Sequence, residues 1–169
     1  MEQENSLHPT EKKRFPLWIA IIAVAVVVGL LAVLALAMRN SANKSLEPGQ
    51  KIPDFTITSY TGETYRKSDL AGKVILVNFW SSWCASCDEE GEALEQVWKE
   101  VKDSGDVVFI GVNYVDTEKE ALAFLEQYNV TYPNGPDLGS RISTMFKVEA
   151  VPETYIIGRD GNLAGIMIG

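Results

Sequence analysis

The sequence is poor in cysteine and histidine. Among its 169 residues are two cysteines, Cys84 and Cys87, and one histidine, His8. A zinc or copper site built from these side chains needs more ligands, unless a second chain or unusual carboxylates contribute. Catalytic arrangements that use histidine as a base are excluded for residues beyond His8. We therefore expect neither a metal site nor a bound cofactor, and the chemistry falls to the one cysteine pair.

Positive charge is also scarce. Lysine and arginine number 15 against 23 acidic residues, which gives a formal net charge of -8 at pH 7. Nucleic acids are bound through clusters of basic side chains, so this balance argues against a nucleic-acid partner. With 46% hydrophobic residues the chain is too apolar to be disordered. Its length allows one domain of ordinary size with an appendage.

The longest stretch without a charge runs over residues 17–38 and holds 22 residues. An α-helix rises about 1.5 Å per residue, so this stretch matches a hydrocarbon core of about 30 Å. The sequence predicts a transmembrane helix there, preceded by a cytoplasmic tail over residues 1–16. A cleaved signal peptide is the alternative, because Ala35-Leu36-Ala37 resembles a cleavage site.

Basic residues on the two sides of this stretch bear on its orientation. Three precede it at positions 12–14, whereas Arg39 and Lys44 follow it. The difference favours a cytoplasmic N-terminus, with the later residues outside the cytoplasm. Residues 39–50 have the polar composition of a linker. We expect the folded domain to cover residues 51–169.

Within the domain, the predicted order of elements is hairpin, β, α, β, α, β, β. Residues 51–70 read as a hairpin that covers a sheet edge, and the apolar stretch 74–79 reads as a central parallel strand. Hydrophobic periodicity and turn residues define the remaining elements. The first helix has one apolar face, formed by Cys87, Gly91, Leu94, Trp98 and Val101, and a strand at 107–112 follows it. The second helix is capped by Thr117 and Glu120, and its apolar stripe consists of Leu122, Leu125 and Tyr128. After it come a loop at 132–137, a short helix at 140–146 and two antiparallel strands at 154–157 and 163–168.

The two cysteines lie where the central strand gives way to a helix. At such a junction Cys84 would face solvent, and free backbone N–H groups would stabilise its thiolate, which makes it the predicted nucleophile. Cys87, one turn later on the apolar face, would resolve the mixed disulfide. The alternative is an inert disulfide. A bridge across so short a loop removes little entropy from the unfolded chain, which argues against a purely structural role.

The helix that follows is acidic, with carboxylates at positions 88, 89, 90, 92 and 95. Most of them are expected on a solvated face. Glu90, three residues after Cys87, borders the apolar face and could exchange protons with the buried thiol. Negative charge near the pair disfavours the thiolate and lowers the reduction potential. The sequence therefore predicts a reductant, although the helix dipole at Cys84 acts in the opposite direction.

Three motifs together resemble a known family. They are NFWSSWCASC at 78–87, GVNY at 111–114 and VPET at 151–154. The chain is similar over residues 50–169 to the membrane-anchored thioredoxin-like proteins of the TlpA/ResA group. Within that group it most resembles the DsbE (CcmG) type, thiol-disulfide reductases of cytochrome c maturation. The resemblance implies an α/β thioredoxin-like fold with a central mixed sheet, flanking helices and an N-terminal hairpin.

The resemblance also implies a substrate and an electron donor for the cysteine pair. Cys84 would attack the disulfide of an apocytochrome c haem-binding motif, and Cys87 would resolve the mixed disulfide. A membrane electron carrier of the DsbD or CcdA type would then re-reduce the pair. The protein would be a single-pass signal-anchor protein of the bacterial inner membrane, with its catalytic domain on the periplasmic side.

Four further residues match family positions around the site. Pro152 matches a cis-proline that, with Val151 before it, offers its backbone to a substrate strand. Trp83 matches an aromatic position beside the nucleophile. Glu90 and Glu153 match acidic positions, for which a helix-face charge and a surface strand residue are the alternatives.

The sequence departs from the family pattern at two places. Ser86 stands where many relatives have proline, so the family's reduction potential does not transfer. The chain also stops at Gly169, so we expect the family's C-terminal helix to be absent from it, which would leave one sheet face bare. Either the sequence is truncated there or another surface covers that face.

Two other functions remain open. One is a general extracytoplasmic thiol reductase, with substrates that include the copper-site thiols of oxidase assembly. The other is a binding module in which the pair holds Cu(I) or a partner without turnover, although no histidine or methionine lies near the pair in sequence to favour copper. A peroxidase is disfavoured by the acidic helix and the paired, Trp-flanked cysteines.

Overall fold

The computed structural model describes residues 16–41 and 46–169. The chain divides into two units, Met1–Lys44 and Ser45–Gly169. Most of the predicted cytoplasmic tail and linker residues 42–45 lie outside the described residues. The proposed boundaries of tail, span, linker and domain stay predictions.

The first unit contains one helix, α1, over Leu17–Ser41. Its first turn includes a hydrogen bond from the Ile19 N–H to the Pro16 carbonyl at 3.0 Å. Large apolar side chains along α1, such as Trp18 and Leu30, are exposed. No helix within residues 16–41 and 46–169 combines the length and the apolarity that a membrane span requires.

The second unit is a five-stranded mixed sheet with helices and a separate two-stranded hairpin. This confirms the thioredoxin-like α/β architecture and the N-terminal hairpin. The elements in chain order are β1 (Thr56–Thr58), β2 (Thr64–Arg66), β3 (Val74–Trp80), α2 (Ser86–Val101), β4 (Val107–Asn113), α3 (Glu118–Gln127), β5 (Asn134–Pro136), α4 (Arg141–Phe146), β6 (Glu153–Ile157) and β7 (Leu163–Ile168), with 3₁₀ turns at Lys67–Leu70, Lys102–Ser104 and Leu138–Ser140.

Strand β3 lies at the centre of the sheet, whose order is β5-β4-β3-β6-β7. It pairs parallel to β4 and antiparallel to β6. Its side chains are buried from Ile75 to Trp80, which agrees with the apolar run read as a central strand. Both cysteines therefore follow the most buried strand of the domain.

The prediction of a loop at 132–137 is wrong in its middle, where β5 adds a parallel edge strand to β4. Pro136 is tolerated because an edge strand leaves one side of its backbone without ladder bonds. The pairing also requires a glycine on β4. A Cβ on Gly111 would lie 1.6 Å from Oδ1 of Asn134, whose side chain occupies that space.

The hairpin of β1 and β2 lies along this edge, as predicted. The Tyr60 N–H donates to the Asn134 carbonyl at 2.8 Å. A Cβ on Gly135 would lie 2.3 Å from the Thr58 carbonyl oxygen, so the two segments are in close contact. The hairpin thus covers the β5 edge of the sheet.

The predicted inner face of α2 is confirmed, since Cys87, Gly91 and Leu94 are buried. The expectation that Glu95 belongs to a solvated face is wrong, because Glu95 is only 3% exposed. Its two carboxylate oxygens accept the N–H and the hydroxyl of Thr131, each at 2.7 Å. These bonds compensate the carboxylate for its burial and tie α2 to the segment after α3.

The capping of α3 is confirmed, since Thr117 Oγ1 accepts the N–H of Glu120. Its predicted apolar stripe is shifted. Ala121 and Phe124 are buried, whereas Leu122 is exposed. Phe124 stacks on Trp80 of β3 with ring centroids 4.6 Å apart, and this contact sets the inward face of the helix.

Candidate active site

Cys84 and Cys87 form a disulfide at the start of α2, with their Cα atoms 5.4 Å apart. Cys84 is 6% exposed and Cys87 is 2% exposed. Cys84 is therefore less accessible than predicted in this oxidised state. The disulfide packs in a cluster with Trp80, Ala121 and Phe124.

Two oxygen atoms lie near the sulfur of Cys84. The Val151 carbonyl oxygen is 3.4 Å away, and Ser86 Oγ is 3.7 Å away. The peptide bond between Val151 and Pro152 is cis, as the resemblance implied. The structure thus brings Cys84, Val151 and Pro152 together, so a peptide lying along Val151 would also meet the reactive sulfur.

Beyond the end of β4, Asp116 holds the segment that leads into Cys84. Its carboxylate accepts the Ser82 N–H at 2.6 Å and the Ser82 hydroxyl at 2.9 Å. It also accepts Asn113 Nδ2 at 3.0 Å and the Thr117 N–H at 2.8 Å. Burial acts to raise the pKa of Asp116, but the hydrogen bonds from Asn113, Ser82 and Thr117 together hold it below its usual 3.8.

Asp116 was not among the predicted site residues. Its position between the carboxyl end of a buried strand and the Thr117 cap could have identified it. Carboxylates at such strand ends often organise a neighbouring loop, because strand ends of a parallel pair meet at one edge of the sheet.

Trp83 is held in an exposed position. Trp83 is 60% exposed, and its indole N–H donates to the Val115 carbonyl at 2.9 Å. Val115 has a φ of 44°, a left-handed conformation that β-branched residues rarely adopt, and is itself exposed. The structure thus fixes an aromatic side chain next to Cys84 instead of burying it.

Glu153 is not a surface strand residue, since it is only 4% exposed. Its Oε1 accepts the backbone N–H groups of Glu149 and Ala150, both at 3.1 Å. Its Oε2 accepts the Tyr155 hydroxyl at 2.6 Å. Glu153 therefore fixes the loop that carries Val151 toward the disulfide.

Glu90 points inward from α2 instead of lying on its solvated face. Its Oε1 accepts the Thr154 hydroxyl at 2.7 Å, and Thr154 Oγ1 in turn accepts Asn78 Nδ2 at 2.9 Å. Its Oε2 is buried and has no hydrogen-bond partner among the described residues. Burial raises the pKa of Glu90 above its usual 4.5, although the neighbouring Thr154 and Asn78 side chains act to lower it.

This arrangement can hold or release a proton beside the buried cysteine. Glu90 lies three residues after Cys87, hence on the same side of α2. Among the described residues, no group of three or more potential ligands is placed to hold a metal ion. The expectation that the reaction needs no bound cofactor stays a prediction.

Comparison with known proteins agrees with this geometry. Residues 48–166 match the family model of the AhpC/TSA family. The chain is 31% identical to the thioredoxin-like protein YneN of Bacillus subtilis, over 90% of this chain and 89% of that protein. It is 30% identical to the thiol-disulfide oxidoreductase ResA of Oceanobacillus iheyensis, over 99% of this chain and 88% of that protein.

A solved structure is similar as well. It is a secreted Mycobacterium tuberculosis disulfide oxidoreductase homologous to Escherichia coli DsbE. That structure superposes with a TM-score of 0.62 and 25% identity, over 68% of this chain and 83% of that one. The family match, these relatives and the disulfide at the start of α2 show that the chain belongs to the AhpC/TSA family and is a thioredoxin-like thiol-disulfide oxidoreductase.

Proposed function

We propose that the chain works as a protein-disulfide reductase. The Cys84 thiolate attacks a substrate disulfide, forms a mixed disulfide and releases one substrate thiolate. Cys87 then attacks the Cys84 sulfur, which releases the second substrate thiolate and leaves the Cys84–Cys87 disulfide. Two electrons pass to the substrate, and its two thiolates take up protons.

The observation that carries this proposal is the Glu90 carboxyl, three residues after Cys87 on α2, whose buried Oε2 has no hydrogen-bond partner among the described residues. Cys87 must lose a proton before it can attack, and a carboxylate whose pKa is raised by burial accepts a proton more readily than an ordinary glutamate. A carboxylate close to the cysteines also destabilises their thiolates. That makes the reduced form a stronger electron donor, because a less stable reduced form has a lower reduction potential.

The proposed substrate is the disulfide of an apocytochrome c haem-binding motif, and the proposed electron donor is a membrane carrier of the DsbD or CcdA type. The resemblance to the DsbE type and the similarity to ResA support this choice. Trp83, the Val151 carbonyl and Pro152 would receive the substrate beside Cys84. A general extracytoplasmic reductase with other thiol substrates is the second candidate.

We also propose that α1 tethers the domain to the inner membrane, with the disulfide on the periplasmic side. The support is the uncharged stretch over 17–38, all of which lies within α1. In intact cells, a membrane-impermeant thiol reagent should then label the cysteines after reduction. Labelling only after lysis would place the domain in the cytoplasm instead.

Trapping tests the order of attack and the substrate together. The full-length Cys87→Ser variant should accumulate a mixed disulfide with an oxidised apocytochrome c, whereas Cys84→Ser should accumulate none. An unrelated disulfide protein such as insulin provides the comparison. Equal trapping of both substrates favours the general reductase, and no trapping of either refutes the reductase proposal. Copper bound tightly by the reduced wild type, without turnover, would favour the binding module.

A further inference from the structure

A groove beside the disulfide is not used by the exchange chemistry. It has a volume of about 500 Å³ and runs between the start of α2 and α3. Trp83 and Asp88 form one wall, and Glu120, Phe124 and Tyr128 form the other. Trp83 directly precedes Cys84 and Asp88 directly follows Cys87, so one wall begins next to both reactive residues. We call this feature the α2–α3 groove.

The wall formed by α3 is partly aromatic. Phe124 and Tyr128 have ring centroids 4.6 Å apart, and Phe124 also stacks on Trp80 at 4.6 Å. The Trp83 ring is held by its hydrogen bond to Val115 and stays exposed. Rings fixed in this way lose little entropy on binding, and their faces attract cations.

The charge of the groove has one sign. Of the eight described residues that line it, Asp88 and Glu120 are acidic and none is basic. A hydrogen bond with Asp88, slight burial and the charges of Asp88 and Glu92 raise the pKa of Tyr128 above its usual 10.0, against an opposing hydrogen bond from Gln127. These acids therefore favour a positive group in the groove.

We propose that the α2–α3 groove binds a lysine or arginine side chain of the substrate polypeptide, located within a few residues of the disulfide under attack. An extended chain advances about 3.3 Å per residue, so a residue two to four positions from the attacked cysteine reaches past Trp83. Its aliphatic stem packs on the aromatic rings and its charged head meets Asp88 and Glu120. This inference rests on the proposed reductase function and defines which protein disulfides are preferred.

Disulfide exchange with matched peptides tests the proposal. The reduced full-length chain in mild detergent is mixed with peptides that contain one C-x-x-C disulfide. The peptides differ only in a single lysine, glutamine or glutamate, placed two to four residues before or after the cysteines. We expect the best lysine peptide to react about threefold or more faster than its glutamate counterpart at low ionic strength, with the ratio falling as salt is added.

Two double variants locate the effect. Asp88→Asn with Glu120→Gln should reduce the lysine-to-glutamate ratio to near one. Asp103→Asn with Glu126→Gln changes the net charge equally at exposed positions outside the groove, and should keep the ratio. An unchanged ratio in the first pair, or an equal loss in both pairs, overturns the proposal. Exchange with none of the peptides would instead refute the reductase function itself.

Discussion

Two carboxylates of the candidate site differ in their hydrogen bonds. Asp116 follows β4 and Glu90 contacts Thr154 of β6, and because these two strands flank β3 on opposite sides we call them the outer and the inner side. On the outer side, Asp116 accepts hydrogen bonds from Ser82, Asn113 and Thr117, and its pKa is lowered. On the inner side, Glu90 accepts one hydroxyl, has a buried oxygen without a partner, and has a raised pKa. The hydrogen bonds that Asp116 accepts keep its carboxylate charged, so it can position a loop. Glu90 accepts fewer hydrogen bonds, so its carboxyl group can change protonation during the reaction.

The largest effect is expected from Glu90→Gln, which removes the exchangeable proton but keeps the shape. Substrate reduction at pH 7 should slow by about 100-fold, the lower range for loss of a general base. The wild-type rate should rise with pH as Glu90 ionises, and this part of the profile should vanish in the variant. Stopped-flow exchange kinetics, taken from about pH 4 upward so that the ordinary range of a glutamate is included, measure both.

Glu89→Gln is the matched control for that variant, because Glu89 is an exposed neighbour on α2. It should retain the wild-type pH profile. If Glu90→Gln also retains that profile, and the thiol titrations of both cysteines are unchanged, Glu90 has no part in proton transfer.

The second effect is on stability, at Glu153 on the inner side. Glu153→Ala leaves the N–H groups of Glu149 and Ala150 and the Tyr155 hydroxyl without their acceptor. We expect a loss of about 2 kcal/mol in the free energy of unfolding, measured with denaturant on the oxidised protein. Glu153→Gln keeps an acceptor for the two N–H groups and should lose less than half as much. Equal losses would show that the charge, not the hydrogen bonds, stabilises the loop.

A smaller effect is expected at Asp116 on the outer side. Asp116→Asn should cost about 1 kcal/mol at pH 7, since the site is partly solvated and an amide replaces only some of the acceptors. A lowered folded pKa gives stability that is present above the unfolded pKa of about 3.8 and is lost as the pH falls through the folded value. The difference between wild type and variant should therefore shrink below about pH 4. A difference that persists undiminished into acid contradicts the assignment.

The smallest effect is expected from Val115→Asn, which replaces a β-branched residue at a left-handed position by one that tolerates it. The thermal unfolding midpoint should rise by a few degrees, equivalent to about 0.5–1 kcal/mol. Val97→Asn is the control, because Val97 is also exposed but lies within α2. A similar rise in both variants would point to surface polarity and not to backbone strain.

The sequence predicted those parts of the site that are formed by residues adjacent in the chain. The strand, the cysteines and the helix start are contiguous, so their arrangement could be inferred without tertiary contacts. Glu90 was identified by its helical spacing from Cys87. That spacing gives the side of the helix, but not the Thr154 hydroxyl, which arrives from β6 sixty-four residues later.

The mistaken predictions share one cause, which is that they depend on contacts formed only in the folded chain. Glu95 was read as a surface charge, and a surface strand residue stayed open as the alternative for Glu153, because the donors to both carboxylates come from distant or irregular backbone. The β5 strand was predicted as a loop because proline and glycine are typical of loops. The folded sheet tolerates them there because β5 is an edge strand. Hydrophobic periodicity describes apolar burial, and it carries no information on which buried carboxylates will find donors.

The reduction potential of the Cys84–Cys87 pair tests the central claim most directly. The full-length chain is equilibrated with glutathione and dithiothreitol buffers at pH 7, and the reduced fraction is followed by thiol labelling. Because Glu90 destabilises the reduced site, the midpoint should be more negative than about −200 mV, and Glu90→Gln should make it less negative. A wild-type midpoint near about −120 mV, the value of a strong oxidant, would contradict the account and identify the protein as a disulfide donor.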